Sequence, residues 1–175
     1  MKELLEQAKK IKCVICDVDG VLTDGLLYID NHGNEQKTFN VQDGMGLKLL
    51  MAADIKVAII TTSTSNLVDH RMKQLGVCHY FTGQVDKQAA YKELKKDLNL
   101  DDDAFAYIGD DLPDIAIIRQ VGLGIAVANA VAEVKEFADM HTKLSGGRGA
   151  VREACDFILN AQSKKDIALQ RYLAS

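Results

Sequence analysis

Cys13-Val14-Ile15-Cys16-Asp17-Val18-Asp19-Gly20-Val21-Leu22-Thr23 sets the frame for the rest of the chain. An apolar run from Ile11 to Cys16 stops at two aspartates one residue apart, and Gly20 and then Thr23-Asp24-Gly25 follow. A short apolar run closed by turn residues reads as a buried strand that delivers its last residues to a loop. In a parallel sheet such a strand presents functional groups at its carboxyl end. Two carboxylates there can divide labour, one attacking an electrophile while the other moves protons, or both can hold a hard cation. Taken alone, D-x-D-G fits a polar turn equally well.

On either side of this strand, strands and helices alternate. Met1 to Lys10 reads as a short amphipathic helix with Leu4, Leu5 and Ala8 on one side. Leu26 to Asn40 reads as a β-hairpin, two β-prone runs around Asn31-His32-Gly33-Asn34. A helix follows Asp43-Gly44-Met45-Gly46. Ile55 to Ile60 is a second buried strand, and Ser65 to Leu75 a helix stopped by Gly76. Val77 to Phe81, Ala104 to Ile108 and Leu123 to Val127 are three more strands. The helices Asp86 to Leu98, Leu112 to Val121 and Ala130 to Phe137 separate or follow them, with Pro113 near a helix start, where proline is tolerated. Ser145 to Ala150 is a glycine-rich loop feeding a helix that bears Val151, Cys155, Ile158 and Leu159. The tail from Ser163 to Ser175 is helical or frayed. The pattern predicts an α/β fold: a doubly wound, mainly parallel sheet with helices on both faces and a small hairpin insertion. It predicts one domain over residues 1–175 with no large cap.

Composition narrows the function. A net charge of −4 over 175 residues argues against nucleic acid as the main partner. No window approaches the ~18 uninterrupted apolar residues of a membrane span, and the N-terminus lacks a signal-peptide core, so no membrane association and a cytoplasmic location are expected. Cys13 and Cys16 match a C-x-x-C spacing, but both sit inside the apolar strand and no second pair exists, so they read as small core hydrophobes. Neither G-x-G-x-x-G after the first strand nor a P-loop is present, which argues against a dinucleotide fold or a P-loop NTPase.

Several strand ends or loops then offer polar groups: Asp17 and Asp19, Thr61 and Thr62, Gln84 to Lys87, and Gly109-Asp110-Asp111 with Asp114 beyond. In a parallel sheet these converge on one edge although they are far apart in sequence. The chemistry they suggest is phosphoryl transfer: Asp17 and Asp110 for Mg²⁺, Lys87 against the phosphate charge, Thr61 as a hydrogen-bond donor. Each part has a plainer reading, as a helix cap for Asp110-Asp111 and for Thr61 to Ser65, or as a solvated lysine for Lys87. In this order together they form a specific pattern.

That pattern, D-x-D-G-x-x-T at Asp17 to Thr23, Thr61, Lys87 and Gly109-Asp110-Asp111, resembles the haloacid dehalogenase-like phosphohydrolases. The resemblance implies that Asp17 is the nucleophile, forming an aspartyl-phosphate, and that Asp19 is the acid–base group. It implies that Asp17, the Asp19 carbonyl and Asp110 hold Mg²⁺, and that Thr61 and Lys87 hold the phosphoryl group. Phe39 to Gly44, Gly83-Gln84 and Gly146 to Glu153 extend the likeness to the capless members that act on a phosphorylated sugar-acid substrate and assemble as a homotetramer through their hairpins. By that resemblance Asp19, Asn40, Val41, Gln42, Asp43, Gly44, Lys48, Thr61, Thr62, Arg71 and Lys87 contact substrate, foremost an eight-carbon 3-deoxy keto acid 8-phosphate. The family places Thr-Gly-Arg after the second strand, where this chain has Thr61-Thr62-Ser63. Ser63 lacks the bidentate reach of arginine, so a sialic-acid-type 9-phosphate stays open as the substrate. A non-catalytic oligomerisation module and a phosphomutase are the readings from other classes; intact acids oppose the first and the missing cap the second. The loop Gly146-Gly147-Arg148-Gly149 is expected to close over an anion.

Overall fold

The computed structural model describes residues 2–173; Met1, Ala174 and Ser175, part of the expected terminal helices, lie outside the described residues. The chain runs α1 (Lys2–Lys10), β1 (Cys13–Cys16), a hairpin of β2 (Tyr28–Ile29) and β3 (Glu35–Gln36), α2 (Val41–Ala52), β4 (Lys56–Ile60), α3 (Asn66–Leu75), β5 (His79–Phe81) and α4 (Lys87–Leu98). It continues with β6 (Phe105–Gly109), α5 (Ile115–Ile118), β7 (Leu123–Ala126), α6 (Ala132–Phe137), β8 (Met140–His141), α7 (Ala150–Ala161) and α8 (Lys165–Leu173).

Six strands form one parallel sheet in the order β5-β4-β1-β6-β7-β8. β1 is central and buried along its whole length, which is why Cys13 to Cys16 reads as a continuous apolar run. Chain order reverses at β1, with β4 on one side and β6 on the other, and this switch point opens a crevice at the carboxyl ends of the strands. Cys16 pairs with Ile59 and Ile108, so Asp17, Ile60 and Gly109 lie at one level on the sheet edge. α1, α2 and α7 pack together on one side, and α4, α5 and α6 pack on the other. The doubly wound arrangement is as expected, and Cys13, Cys16 and Cys155 are buried free thiols in one apolar core. Among the described residues no helix is long and apolar enough to cross a membrane.

Three elements differ from expectation. The sixth strand, β8, is only two residues long and carries no period that a sequence window detects. The helix expected over Leu112 to Val121 is split into a 3₁₀ turn at Leu112–Asp114 and the short α5. Pro113 supplies no backbone N–H, and a reciprocal cap between Asp111 and Asp114 fixes the tighter turn. The hairpin arms pair over only two residues each, Tyr28 with Gln36 and Ile29 with Glu35, so most of 26–40 is irregular chain projecting from the core.

Candidate active site

Hydrogen bonds between neighbouring loops hold the strand ends in place. The Asp17 N–H donates to the Ile108 carbonyl at 3.0 Å, and the Thr61 N–H to the Phe81 carbonyl at 3.0 Å. Thr23 shapes the turn after β1: its hydroxyl donates to the Val18 carbonyl and accepts from the Gly20 and Gly25 amides, each at 3.3 Å. Gly20 has φ +85°, and a Cβ there would lie 1.9 Å from Asp110 Oδ2. Glycine is therefore required for the two acidic loops to touch.

The groups brought together are Asp17, Lys87, Asp110 and Asp114. Lys87 opens α4, whose N-cap Asp86 accepts from the Gln88 amide, and its side chain bends inward to the sheet edge. Lys87 Nζ lies 2.9 Å from Asp17 Oδ1 and 2.7 Å from Asp114 Oδ1. Asp114 also accepts from the Tyr107 hydroxyl at 2.7 Å and from the Asp110 and Asp111 amides at 2.9 and 3.2 Å. Its oxygens are thus occupied in holding Lys87 and the Asp110 loop. Asp17 Oδ1 and Asp110 Oδ1 are buried without an aligned hydrogen-bond partner. Burial and the neighbouring Asp114 push the Asp17 carboxyl up to about 7 against the pull of Lys87. Burial, then Asp17, Asp114 and Asp111, push Asp110 up to about 8. Burial works against the Lys87 charge, but Asp17 and Asp114 hold its pKa above the ordinary lysine value.

Buried carboxylates whose pKa values are raised first by desolvation and then by neighbouring acids are what a hard divalent cation relieves. Asp17, Asp110 and Asp114 each offer an oxygen within 4.8 Å of the others. Because Asp114 is already saturated, Asp17 and Asp110 are the pair that fits a cation. The pocket over them, lined by Asp17, Asp19, Gly25, Thr62, Lys87, Asp110, Asp111 and Pro113, holds about 200 Å³. That is below the usual 300–1,000 Å³ of a small-molecule site and suits a phosphoryl group. Thr61 is fully buried, and its hydroxyl accepts from the Ser63 amide at 3.2 Å, which leaves its own proton to donate.

Other residues expected at the substrate lie outside this pocket. Arg71 lines a second hollow of about 340 Å³ with Lys37, Phe39, Leu67, His70 and Gln74. Its guanidinium sits 5.8 Å from the Phe39 ring centre, and Gly44 makes room for it, since a Cβ there would meet Nη2 at 2.5 Å. Lys48 borders a separate hollow with Met51, Ala52 and Leu75. Val41 and Gln42 are exposed at the start of α2, where Asn40 is the N-cap and also donates to the Gly147 carbonyl at 3.3 Å. Asp43, expected at the substrate, is 1% exposed, and its carboxylate accepts from the Gly149 and Arg152 amides at 3.2 and 2.8 Å. It caps α7 from within α2, and its side chain does not reach the pocket.

The loop Ser145 to Gly149 is a buttress and not the expected lid. A Cβ at Gly146 would strike the Gly20 carbonyl at 1.8 Å, and the Gly147 amide donates to the Val21 carbonyl at 2.9 Å. Asn129 bridges the same loops, donating to the Gly20 carbonyl at 3.0 Å and accepting from the Gly146 amide at 2.6 Å. Asp114, Asn129 and Lys37 are site-building residues to which the sequence pattern assigned no role. For Asp114 a signal existed, since it lies four residues after Asp110 beside Pro113. For Lys37 there was none. Its side chain is almost fully buried, and its ammonium bonds Asp19 Oδ1 and lies 3.0 Å from Glu35 Oε1. Burial opposes its charge, but the bonds to Asp19 and Glu35 hold its pKa above the ordinary lysine value.

This geometry belongs to a known class. The model of haloacid dehalogenase-like hydrolases matches residues 81–152, and the chain belongs to that family. The 3-deoxy-D-manno-octulosonate 8-phosphate phosphatase KdsC of Yersinia pestis is 48% identical over 162 residues, covering 93% of this chain and 87% of its own. A solved HAD superfamily (subfamily III A) hydrolase from Legionella pneumophila is 70% identical with a TM-score of 0.97, covering 100% of this chain and 96% of that one. The 3-deoxy-D-manno-octulosonate 8-phosphate phosphatase of Moraxella catarrhalis was solved with a magnesium ion, a phosphate ion and a KDO molecule. It is 44% identical with a TM-score of 0.94, covering 98% and 99% of the two chains.

Proposed function

We propose that this chain is a Mg²⁺-dependent phosphatase that hydrolyses 3-deoxy-D-manno-octulosonate 8-phosphate to the free sugar acid and inorganic phosphate. The observation that carries the reading is a buried acid pair in a phosphoryl-sized pocket: Asp17, ion-paired to Lys87, and Asp110, whose Oδ1 is buried without a hydrogen-bond partner. The relatives from Y. pestis and M. catarrhalis supply the sugar.

Asp17 attacks phosphorus and the bond to the sugar oxygen breaks, while Asp19 delivers a proton to the departing alkoxide. Asp19 then takes a proton from water, which attacks the aspartyl-phosphate and frees Asp17. Lys87 and the Thr61 hydroxyl hold the phosphoryl oxygens. Asp17, Asp110 and the Asp19 carbonyl are the groups that would hold Mg²⁺, which supplies charge neutralisation on those oxygens. Asp114 keeps Lys87 aimed at Asp17.

The pocket takes the phosphoryl group, so the sugar acid extends past it. The neighbouring hollow with Arg71, whose Nε is buried without a partner, offers a cation for the substrate carboxylate in place of the arginine that Ser63 lacks. Leu26, Leu27, Ile29 and Val41 are exposed on and beside the hairpin, which supports a homotetramer joined through that element. The chain acts as one catalytic domain, and a cytoplasmic location accords with the absence of a membrane-spanning helix among the described residues. The Ser63 substitution favours testing a sialic-acid-type 9-phosphate alongside the eight-carbon acid. Phosphate release with Mg²⁺ is measured on both, with phosphorylated hexoses as controls. The eight-carbon substrate is expected to have the highest kcat/KM; preference for the 9-phosphate would reassign the sugar, and no release from any would remove the phosphatase reading.

A further inference from the structure

We infer that Lys37 is a positioning residue for the acid–base step: from the exit of the hairpin its ammonium, steadied by Glu35, fixes the Asp19 carboxylate over the phosphoryl pocket. This rests on the phosphatase reading of Asp17 and Asp19.

The Lys37 side chain is 5% exposed, although it leaves an irregular stretch of a projecting element. A lysine in such a stretch ordinarily places its charge in water, because the ammonium is strongly hydrated. Here the charge is turned inward, and its partners are both carboxylates: Asp19 Oδ1, and Glu35 Oε1 at 3.0 Å. Desolvating an ammonium is costly unless it is paired, and the pairing across two acids offsets that cost. The Asp19 carboxylate receives no other side-chain or backbone hydrogen bond among the described residues, so Lys37 is the polar contact that orients it. The contact uses Oδ1, which accepts from the ammonium whether or not the carboxyl is protonated, and leaves Oδ2 without a hydrogen bond among the described residues to carry the transferred proton; Asp19 shares the pocket lining with Asp17 and Lys87.

This arrangement answers a geometric need. A general acid works only when held within hydrogen-bond reach of the leaving oxygen, and correct placement contributes ~10²–10⁴-fold. Asp17 is held by Lys87 and the sheet edge, and Asp110 by Asp114 through its amide. Asp19 lies on the turn past the end of β1, so its hold comes from the hairpin. The hairpin thus contributes to the reaction as well as to any assembly. Because the Lys37 stem also lines the Arg71 hollow, a role as a direct substrate contact is the rival reading.

Lys37→Met and Lys37→Arg separate these readings in the full-length Mg²⁺-loaded enzyme, with the sugar-acid 8-phosphate and with p-nitrophenyl phosphate. The nitrophenolate leaving group departs without a proton, so its kcat/KM does not need a positioned acid. For K37M we expect kcat on the sugar acid to fall 10- to 100-fold with KM within threefold, and kcat/KM on p-nitrophenyl phosphate to change less than threefold. K37R, which keeps the charge, is expected to retain more kcat than K37M. A rise confined to KM makes Lys37 a substrate contact and overturns the inference. Equal losses on both substrates make it structural and overturn it, as does an unchanged kcat, or a K37R no better than K37M. If K37M misfolds by thermal melt, Glu35→Gln replaces it, with the same leaving-group contrast at a smaller amplitude. Wild-type inactivity on the sugar acid would instead sink the functional reading itself.

Discussion

At the carboxyl ends of β1, β4 and β6 the charged groups are buried and tied to one another, with Asp17, Lys87, Asp110 and Asp114 held by sheet register, backbone amides and an ion-pair chain. Across the pocket the hairpin has short pairing, exposed Leu26, Leu27 and Ile29, and an inward-turned charge at Lys37. The first region is complete within one chain. The second leaves apolar surface in water and turns a single lysine inward onto Asp19. The buried acids and Lys87 are therefore set by the core of the fold, while the hairpin adds an inward charge at Asp19 and an exposed apolar face.

Substitutions test this contrast from the core outward. Asp17→Asn removes the nucleophile, and phosphate release is expected to fall on the order of 10⁴-fold or more with the melting curve preserved. Lys87→Met is expected to cost ~10²–10³-fold in kcat. It also strands Asp17 and Asp114, with a destabilisation of about 3–5 kcal/mol by urea melt in the absence of Mg²⁺. A Leu27→Asp/Ile29→Asp double variant is expected to dissociate the assembly by light scattering and to lower kcat/KM about tenfold, at unchanged secondary structure; unchanged mass would remove the hairpin as the assembly element.

The metal-free site carries a pH signature. Asp17 and Asp110 are raised from 3.8 to about 7 and about 8, so the folded state keeps protons that the unfolded chain has lost. The metal-free protein then loses stability as pH rises from about 4 toward 8. Mg²⁺ replaces those protons, so its stabilising shift in Tm is expected to be several degrees larger at pH 8 than at pH 5.5, and Asp110→Asn to flatten the difference. The smallest effect is expected at Asp43→Ala, which removes the α7 cap: about 1–2 kcal/mol of stability by thermal melt, with activity within a few-fold.

The strand-end motifs of the core region were legible in the sequence because each is local, and the family resemblance supplied their roles; Asp114 was visible only as an acid beyond Asp110. Cys13 to Cys16 is apolar on both faces, the acids follow the strand directly, and Gly20 and Gly109 mark where backbone and carboxylate approach closely. What was not legible depends on long-range packing. Asp43 was expected at the substrate by family resemblance alone, yet it caps a helix whose amides lie 106 and 109 residues further along the chain. Lys37 sits 18 residues from Asp19, and nothing in the local pattern says that its ammonium turns inward. The glycines of the Ser145 to Gly149 loop look like a flexible lid. Their spacing instead fits the tight contacts with Gly20 and Thr23 that brace the catalytic turn.

Everything in the mechanism turns on Asp17 carrying the phosphoryl group between sugar and water. That role is tested by rapid acid quench of the Mg²⁺-loaded enzyme during turnover of 3-deoxy-D-manno-octulosonate 8-phosphate, followed by peptide mass spectrometry. A phosphoryl group on the peptide bearing Asp17, absent in Asp17→Asn, is the expected result. Phosphate release at full rate with that peptide unmodified, or with the label on another residue, would show that Asp17 is not the carrier.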